Sequence, residues 1–143
     1  QKIAQFLDTS IFFVKNFNPS WDYKILLCVD DSRATKRAVI LSTRISKQFS
    51  ADITSVTVSK TSFFGKGYRN AQIWAERYLK RKNITFESRL LSGTPVDVFV
   101  KEAGENHIII MGKAKGNEII KFVLGSKPIH TAQRANCSVL LVN

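Results

Sequence analysis

The residues best placed to do chemistry are Asp30, Gly112, Gly125 and Ser126, and the chemistry they suit is the holding of a phosphate-bearing ligand. Asp30 follows the apolar run Lys24–Val29 (KILLCV), and Gly112 follows a second one, His107–Met111 (HIIIM). A glycine at such a strand end lets a ligand approach the backbone closely. Gly125-Ser126 opens a segment read as a helix, whose free N–H groups and dipole favour an anion. The connection between the glycines carries Lys113, Lys115, Lys121 and Lys127 against Glu118. A nearby carboxylate would accept from a sugar hydroxyl or an amino group. The same glycines also serve simple turns and caps, and spacing alone leaves both readings open.

Other chemistries find little support. Gly125-Ser126-Lys127 is not a P-loop, because the earlier glycine of that pattern is absent. His107 and His130 have no evident carboxylate or Cys partner and read as surface or boundary residues. Cys28 and Cys137 lie in or beside apolar strand patterns, which suits small core residues in a reducing, cytoplasmic compartment. Two Cys and two His so scattered have no metal-ligand spacing. No nucleophile or acid/base pair stands out, so no independent enzyme activity is expected, weak hydrolysis of a bound ATP aside.

The 143 residues make one ordinary domain, and 44% hydrophobic content is enough for a core. The apolar runs are too short to insert in a membrane. The chain opens on Gln1 rather than Met, as a cut or processed chain does, and residues 1–22 lack the layout of a signal peptide. Lys and Arg number 22 against 11 Asp and Glu, a net charge of +11. Between Lys60 and Lys82 lie seven basic residues and one acid, Glu76. This stretch is either a solvated helix face or, with Phe63 and Phe64, a surface for an anionic partner. A nucleic-acid role lacks a recognised motif.

These positions need elements to hold them. Lys24–Val29 reads as a strand, and Asp31 or Ser32 as the cap of a following helix with an apolar stripe of Ala34, Ala38, Leu41, Ile45 and Phe49. Ile53–Val58 is β-branched and reads as the second strand. Ala71, Trp74, Ala75, Tyr78 and Leu79 mark a second helix. Ile84–Leu91 is a third strand. Thr94 then caps a third helix with Pro95 at its first position, a stripe of Val96, Phe99, Val100 and Ala103, and a stop at Gly104. His107–Met111 is the fourth strand, Ser126–Ala135 a last helix and Ser138–Val142 the fifth strand. Such alternation predicts an α/β fold, a five-stranded parallel sheet with helices on both faces. Ligands in such sheets bind at the carboxyl ends of the strands, where the winding reverses.

The stretch from Met111-Gly112 to Leu124-Gly125-Ser126, then Cys137–Val142, resembles the signature end of the universal stress protein family. That signature is a glycine, two residues, a glycine, nine residues, then glycine with Ser or Thr. Gly112, Gly125 and Ser126 match it; Lys115 stands at the second glycine, with Gly116 one place late, and Pro128 replaces a hydroxyl residue. Ile25–Ser32 is similar to the family's opening strand, and Ser92-Gly93-Thr94-Pro95 to its turn before the third helix. The resemblance runs from about Tyr23 to Asn143. It implies an adenine-nucleotide-binding fold with strand order 3-2-1-4-5. It also implies that Asp30 and Val58 hold a nucleoside and that Gly112, Gly125 and Ser126 hold phosphates. ATP or AMP, with or without Mg²⁺, is the implied ligand. Lys115 would either fill the cradle or pair with a phosphate.

Residues 1–22 stand outside the five-strand pattern but resemble its end. Ala4–Val14 aligns without gaps on Ala132–Val142, with Ala, Gln, Ser and Val identical. The expectation is the last helix and strand of a preceding sister domain, with Asn16–Asp22 as linker and 23–143 as the domain proper. The family resemblance implies dimers paired through the fifth strand, so Ser10–Val14 is expected antiparallel to Ser138–Val142, within the chain or from a second copy. An unrelated extension packing elsewhere is the alternative. Two functions follow: a nucleotide-binding stress-response domain, or a non-nucleotide-binding dimerisation and interaction module for a protein partner. The second suits a cytoplasmic regulatory domain of a tandem protein or a transporter.

Overall fold

A computed structural model of the chain describes residues 10–15, 18, 20, 22–61, 63–112, 131 and 135–143. Among these, six strands form one sheet: β1 (Ile11–Phe13), β2 (Lys24–Cys28), β3 (Ile53–Ser59), β4 (Phe86–Ser92), β5 (His107–Gly112) and β6 (Ser138–Val142). Three helices connect them: α1 (Thr35–Phe49), α2 (Lys66–Arg81) and α3 (Pro95–Glu102). The spatial order is β1-β6-β5-β2-β3-β4. The five strands from β2 to β6 are parallel, in the expected order, and β1 adds an antiparallel edge. The helical readings of 126–130 and 132–134 and of the segment before residue 10 lie outside the described residues.

The central strands are buried on both sides, as their continuous apolar runs require. One core holds Leu26, Val56, Phe99 and Leu141 under α3. The other holds Ile25, Leu27, Ile53 and Ile110 under α1 and α2. Leu79 and Ala75 of α2 are fully buried, and Trp74 and Tyr78 flank them. Val96 and Phe99 carry α3 inward as expected.

Three expectations need correction. The buried face of α1 is Thr35, Ala38, Val39, Ser42, Thr43 and Ser46; Leu41 and Ile45 only flank the core, and Phe49 is 70% exposed. Small residues let this helix lie close on the sheet, and local bonds satisfy two of its hydroxyls. Thr43 Oγ1 donates to the Val39 carbonyl at 3.0 Å, and Ser46 Oγ to that of Ala51 at 2.5 Å. Neither Asp31 nor Ser32 caps α1; Ala34 takes the cap position without a side-chain bond. Thr94 does sit at the cap of α3 ahead of Pro95, but its hydroxyl makes no capping bond, and the helix ends at Glu102, before Gly104.

Candidate functional site

The winding reverses between β2 and β5. The chain runs outward from β2 through β3 to β4, then crosses back to β5 and β6 on the other side of β2. β2 and β5 are in parallel register, Leu27 opposite Ile110, so the chain leaving β2 at Asp30 and the end of β5 at Gly112 lie at the same end of the sheet. Ligands of open α/β sheets bind at such a point.

Asp30 is half-buried and organises the turn into α1. Its carboxylate Oδ1 accepts from Thr35 Oγ1 at 2.6 Å and from the Ser32 N–H at 2.9 Å. The Asp30 N–H donates back to Thr35 Oγ1 at 3.2 Å, and the Ser32 and Thr35 hydroxyls lie 3.2 Å apart. The carboxylate is therefore fixed in orientation by its own turn.

Gly112 is explained by packing within the protein. A Cβ there would lie 2.8 Å from Ala34 Cβ and 3.1 Å from Ser32 Oγ. The turn 32–34 lies against the end of β5, in the space reserved by sequence reasoning for a ligand. Val58 is 5% exposed and belongs to the core under α3. Of the six residues expected to contact a nucleotide, Asp30 lines the crevice, while Val58 and Gly112 are buried and do not line it. Lys115, Gly125 and Ser126 lie outside the described residues.

The crevice has a volume of about 350 Å³ and runs from Asp30 and Ser32 along the starts of α1 and α2 to Lys36, Asn70 and Trp74. That size suits a small ligand. The Lys36 ammonium sits 5.2 Å from the Trp74 ring centroid, and Trp74 stacks on Tyr78 at 5.3 Å. Asn70 and the rim position of Trp74 escaped the sequence reading, because helical periodicity assigns Trp74 to the core and offers no reason to single out Asn70. Thr35 was likewise missed; the signal was a hydroxyl residue shortly after a strand-end Asp. A larger depression, about 600 Å³, lies at the opposite end of the sheet by Ser20, Asp22, Glu105 and Asn106. Its described lining has two carboxylates and no cation, which does not suit a phosphate.

His107 begins β5, far from this mouth. The Gly104 N–H donates to its Nδ1 at 2.9 Å. Burial, then the Lys24 ammonium, hold its pKa below the ordinary 6.5. Both cysteines are buried and in no disulfide, and burial pushes the Cys137 thiol up, which disfavours the reactive thiolate. Among the described residues no cluster of His, Cys, Asp or Glu could hold a metal ion, and no helix is long and apolar enough to cross a membrane.

A doubly wound α/β sheet with a crevice at its switch point defines a class of ligand-binding domains. Comparison with known proteins narrows it: the chain belongs to the universal stress protein family, whose model matches residues 23–143. No curated protein matches the chain. Among solved structures, a universal stress protein in complex with cAMP is 23% identical, covers 86% of this chain and 99% of its own, and superposes with a TM-score of 0.70. One from Archaeoglobus fulgidus is 17% identical at TM-score 0.78, covering 99% of this chain but 52% of its own. One from Arabidopsis thaliana with AMP bound is 14% identical at TM-score 0.59, covering 84% of this chain and 90% of its own. At these identities the likeness is one of fold.

Proposed function

We propose that this is a cytoplasmic regulatory domain that binds an adenine nucleotide at the switch point, by recognition and not turnover. The observation that carries the reading is the crevice lined by Asp30 at the end of the sheet where the winding reverses between β2 and β5. In this reading Asp30, with Val58 behind it, meets the nucleoside, and the phosphates reach past Gly112 toward Lys115, Gly125 and Ser126. Relatives of the same fold bound to cAMP and AMP support it. Calorimetric titration with AMP, then with ATP with and without Mg²⁺, tests it. A saturable heat for AMP that falls at least about tenfold in Asp30→Asn is expected, because that change removes a charged acceptor. No heat for the natural chain or for Lys115→Gly overturns it.

A second reading, of the domain as a pairing module, rests on the β1–β6 edge. β1 runs antiparallel to β6, with Phe12 opposite Leu140, where a second domain's terminal strand would lie in a two-fold pair. In this reading residues 1–22 are the end and linker of a sister domain, and 23–143 is its partner. The Archaeoglobus structure, which this chain matches over only 52% of its length, supports a tandem arrangement. Extending the natural sequence upstream would test it: a second copy of the β-α pattern is expected, and an unrelated sequence there overturns it.

A further inference from the structure

Nearly all of the excess positive charge sits on one layer of the fold. Residues 33–49 and 66–82, which are α1, α2 and the residues at their ends, hold eleven Lys and Arg and one Glu, against +11 for the whole chain. Both helices pack on the same core, through Ala38 and Val39 of α1 and Ala75 and Leu79 of α2. Their charged sides therefore share one outer surface. On the other side of the sheet α3 carries Asp97, Lys101 and Glu102.

The arrangement is more specific than a net charge. Lys66, Arg69, Ile73, Arg77 and Lys80 are all exposed and fall three or four residues apart, which draws one line along α2. Ile73, at the middle of that line, is 46% exposed. On α1 the same spacing gives Arg37, Ile40, Arg44 and Lys47, and Phe49 protrudes at the end. The ion pairs among the described residues are those of Arg89 with Glu87 and Glu102, so no cation of α1 or α2 is in one. Arg81 and Lys82 instead lie over the Tyr78 ring at 5.6 and 5.7 Å.

We propose that the α1–α2 layer docks peripherally on an anionic lipid surface. Cations spread over two neighbouring helices match a plane of acidic headgroups, which attracts basic residues within a Debye length. The exposed Ile73 decides between lipid and nucleic acid. An aliphatic or aromatic side chain among cations suits the boundary between headgroups and acyl chains. A phosphodiester backbone is met by hydrogen-bonding groups, and an isoleucine at the centre of the row contributes nothing there. This inference is independent of nucleotide binding.

The test is sedimentation of the whole chain with phosphatidylcholine vesicles, with and without about a third phosphatidylserine. Binding is expected only to the anionic vesicles, falling at least about tenfold when salt rises from about 0.1 to 0.5 M. Arg69→Glu/Arg77→Glu/Lys80→Glu should abolish it with an unchanged urea midpoint, since all three side chains are exposed. Ile73→Ser should weaken it several-fold, which a purely electrostatic surface would not show. Absence of binding at low salt overturns the proposal. So does a vesicle affinity unmoved by Ile73→Ser together with displacement by a random DNA duplex, which would make the layer a nucleic-acid surface.

Discussion

Phe12 and Leu140 lie directly opposite each other across the β1–β6 pair, and they are also equivalent positions in the internal alignment of Ala4–Val14 on Ala132–Val142. A strand pair centred on equivalent residues has two-fold symmetry. The flanking bonds obey it. The Lys15 N–H donates to Ser138 Oγ at 3.0 Å, and the Asn143 N–H to Ser10 Oγ at 3.2 Å. Ser10 and Ser138 are equivalent in the alignment, as are Lys15 and Asn143 when it is extended by one residue. β1 thus pairs with β6 in the register of a two-fold pair.

Releasing β1 should therefore make the chain pair with itself. Phe13 packs against the core beside Val139 and Leu141. Phe13→Asp would bury a charge there and leave the β6 edge open to another chain. Sedimentation velocity should show a concentration-dependent dimer in the variant. A monomer at all concentrations would mean that the β6 edge has no affinity for its own copy.

Gly112→Ala should destabilise the fold by about 1–3 kcal/mol, the usual cost of forcing a methyl into a packed site. The added Cβ meets Ala34 at 2.8 Å, so the turn 32–34 must shift and nucleotide affinity should fall with it. Urea denaturation measures the first effect; an unchanged midpoint would show that the turn yields freely.

Thr35→Val keeps the side-chain shape but removes the donor to Asp30 Oδ1 and the acceptor for the Asp30 N–H. A loss of about 1–3 kcal/mol is expected from the unpaired groups, with Thr35→Ser restoring much of it. Equal stability of the Val and natural chains would show that water replaces the hydroxyl.

Stability should fall in mild acid through His107. Its folded-state pKa is lowered, first by burial and then by Lys24, and a neutral Nδ1 is needed to accept the Gly104 N–H. The unfolded chain therefore takes up the proton more readily. The stabilisation is complete above about pH 6.5 and is lost as pH falls through the lowered folded value. Urea midpoints at about pH 7.5 and 5 should differ less in His107→Gln than in the natural chain. Parallel losses in both would place the acid sensitivity elsewhere.

Much of the fold was legible along the chain. Alternating apolar runs and helical stripes located β2 to β6 and α1 to α3, and Thr94-Pro95 marked the start of α3 to the residue. The site was legible only at its strand ends. Asp30 and Gly112 could be singled out because strand ends next to turns are visible locally. Trp74 could not, because a half-buried aromatic on a helix has the same periodicity as a core residue.

The sequence alone determined the order of elements, because hydrophobic period and turn chemistry are local; the reversal of winding after β4 was only implied by the family resemblance and is seen in the sheet order. It also contained the gapless likeness of Ala4–Val14 to Ala132–Val142. Only the tertiary structure decided which side of α1 meets the sheet, because its small Thr and Ser residues pack more closely than its larger apolar ones. It also decided that Gly112 makes room for Ala34. That contact joins residues on separate elements far apart in the chain, and no periodicity along the sequence records the distance between them.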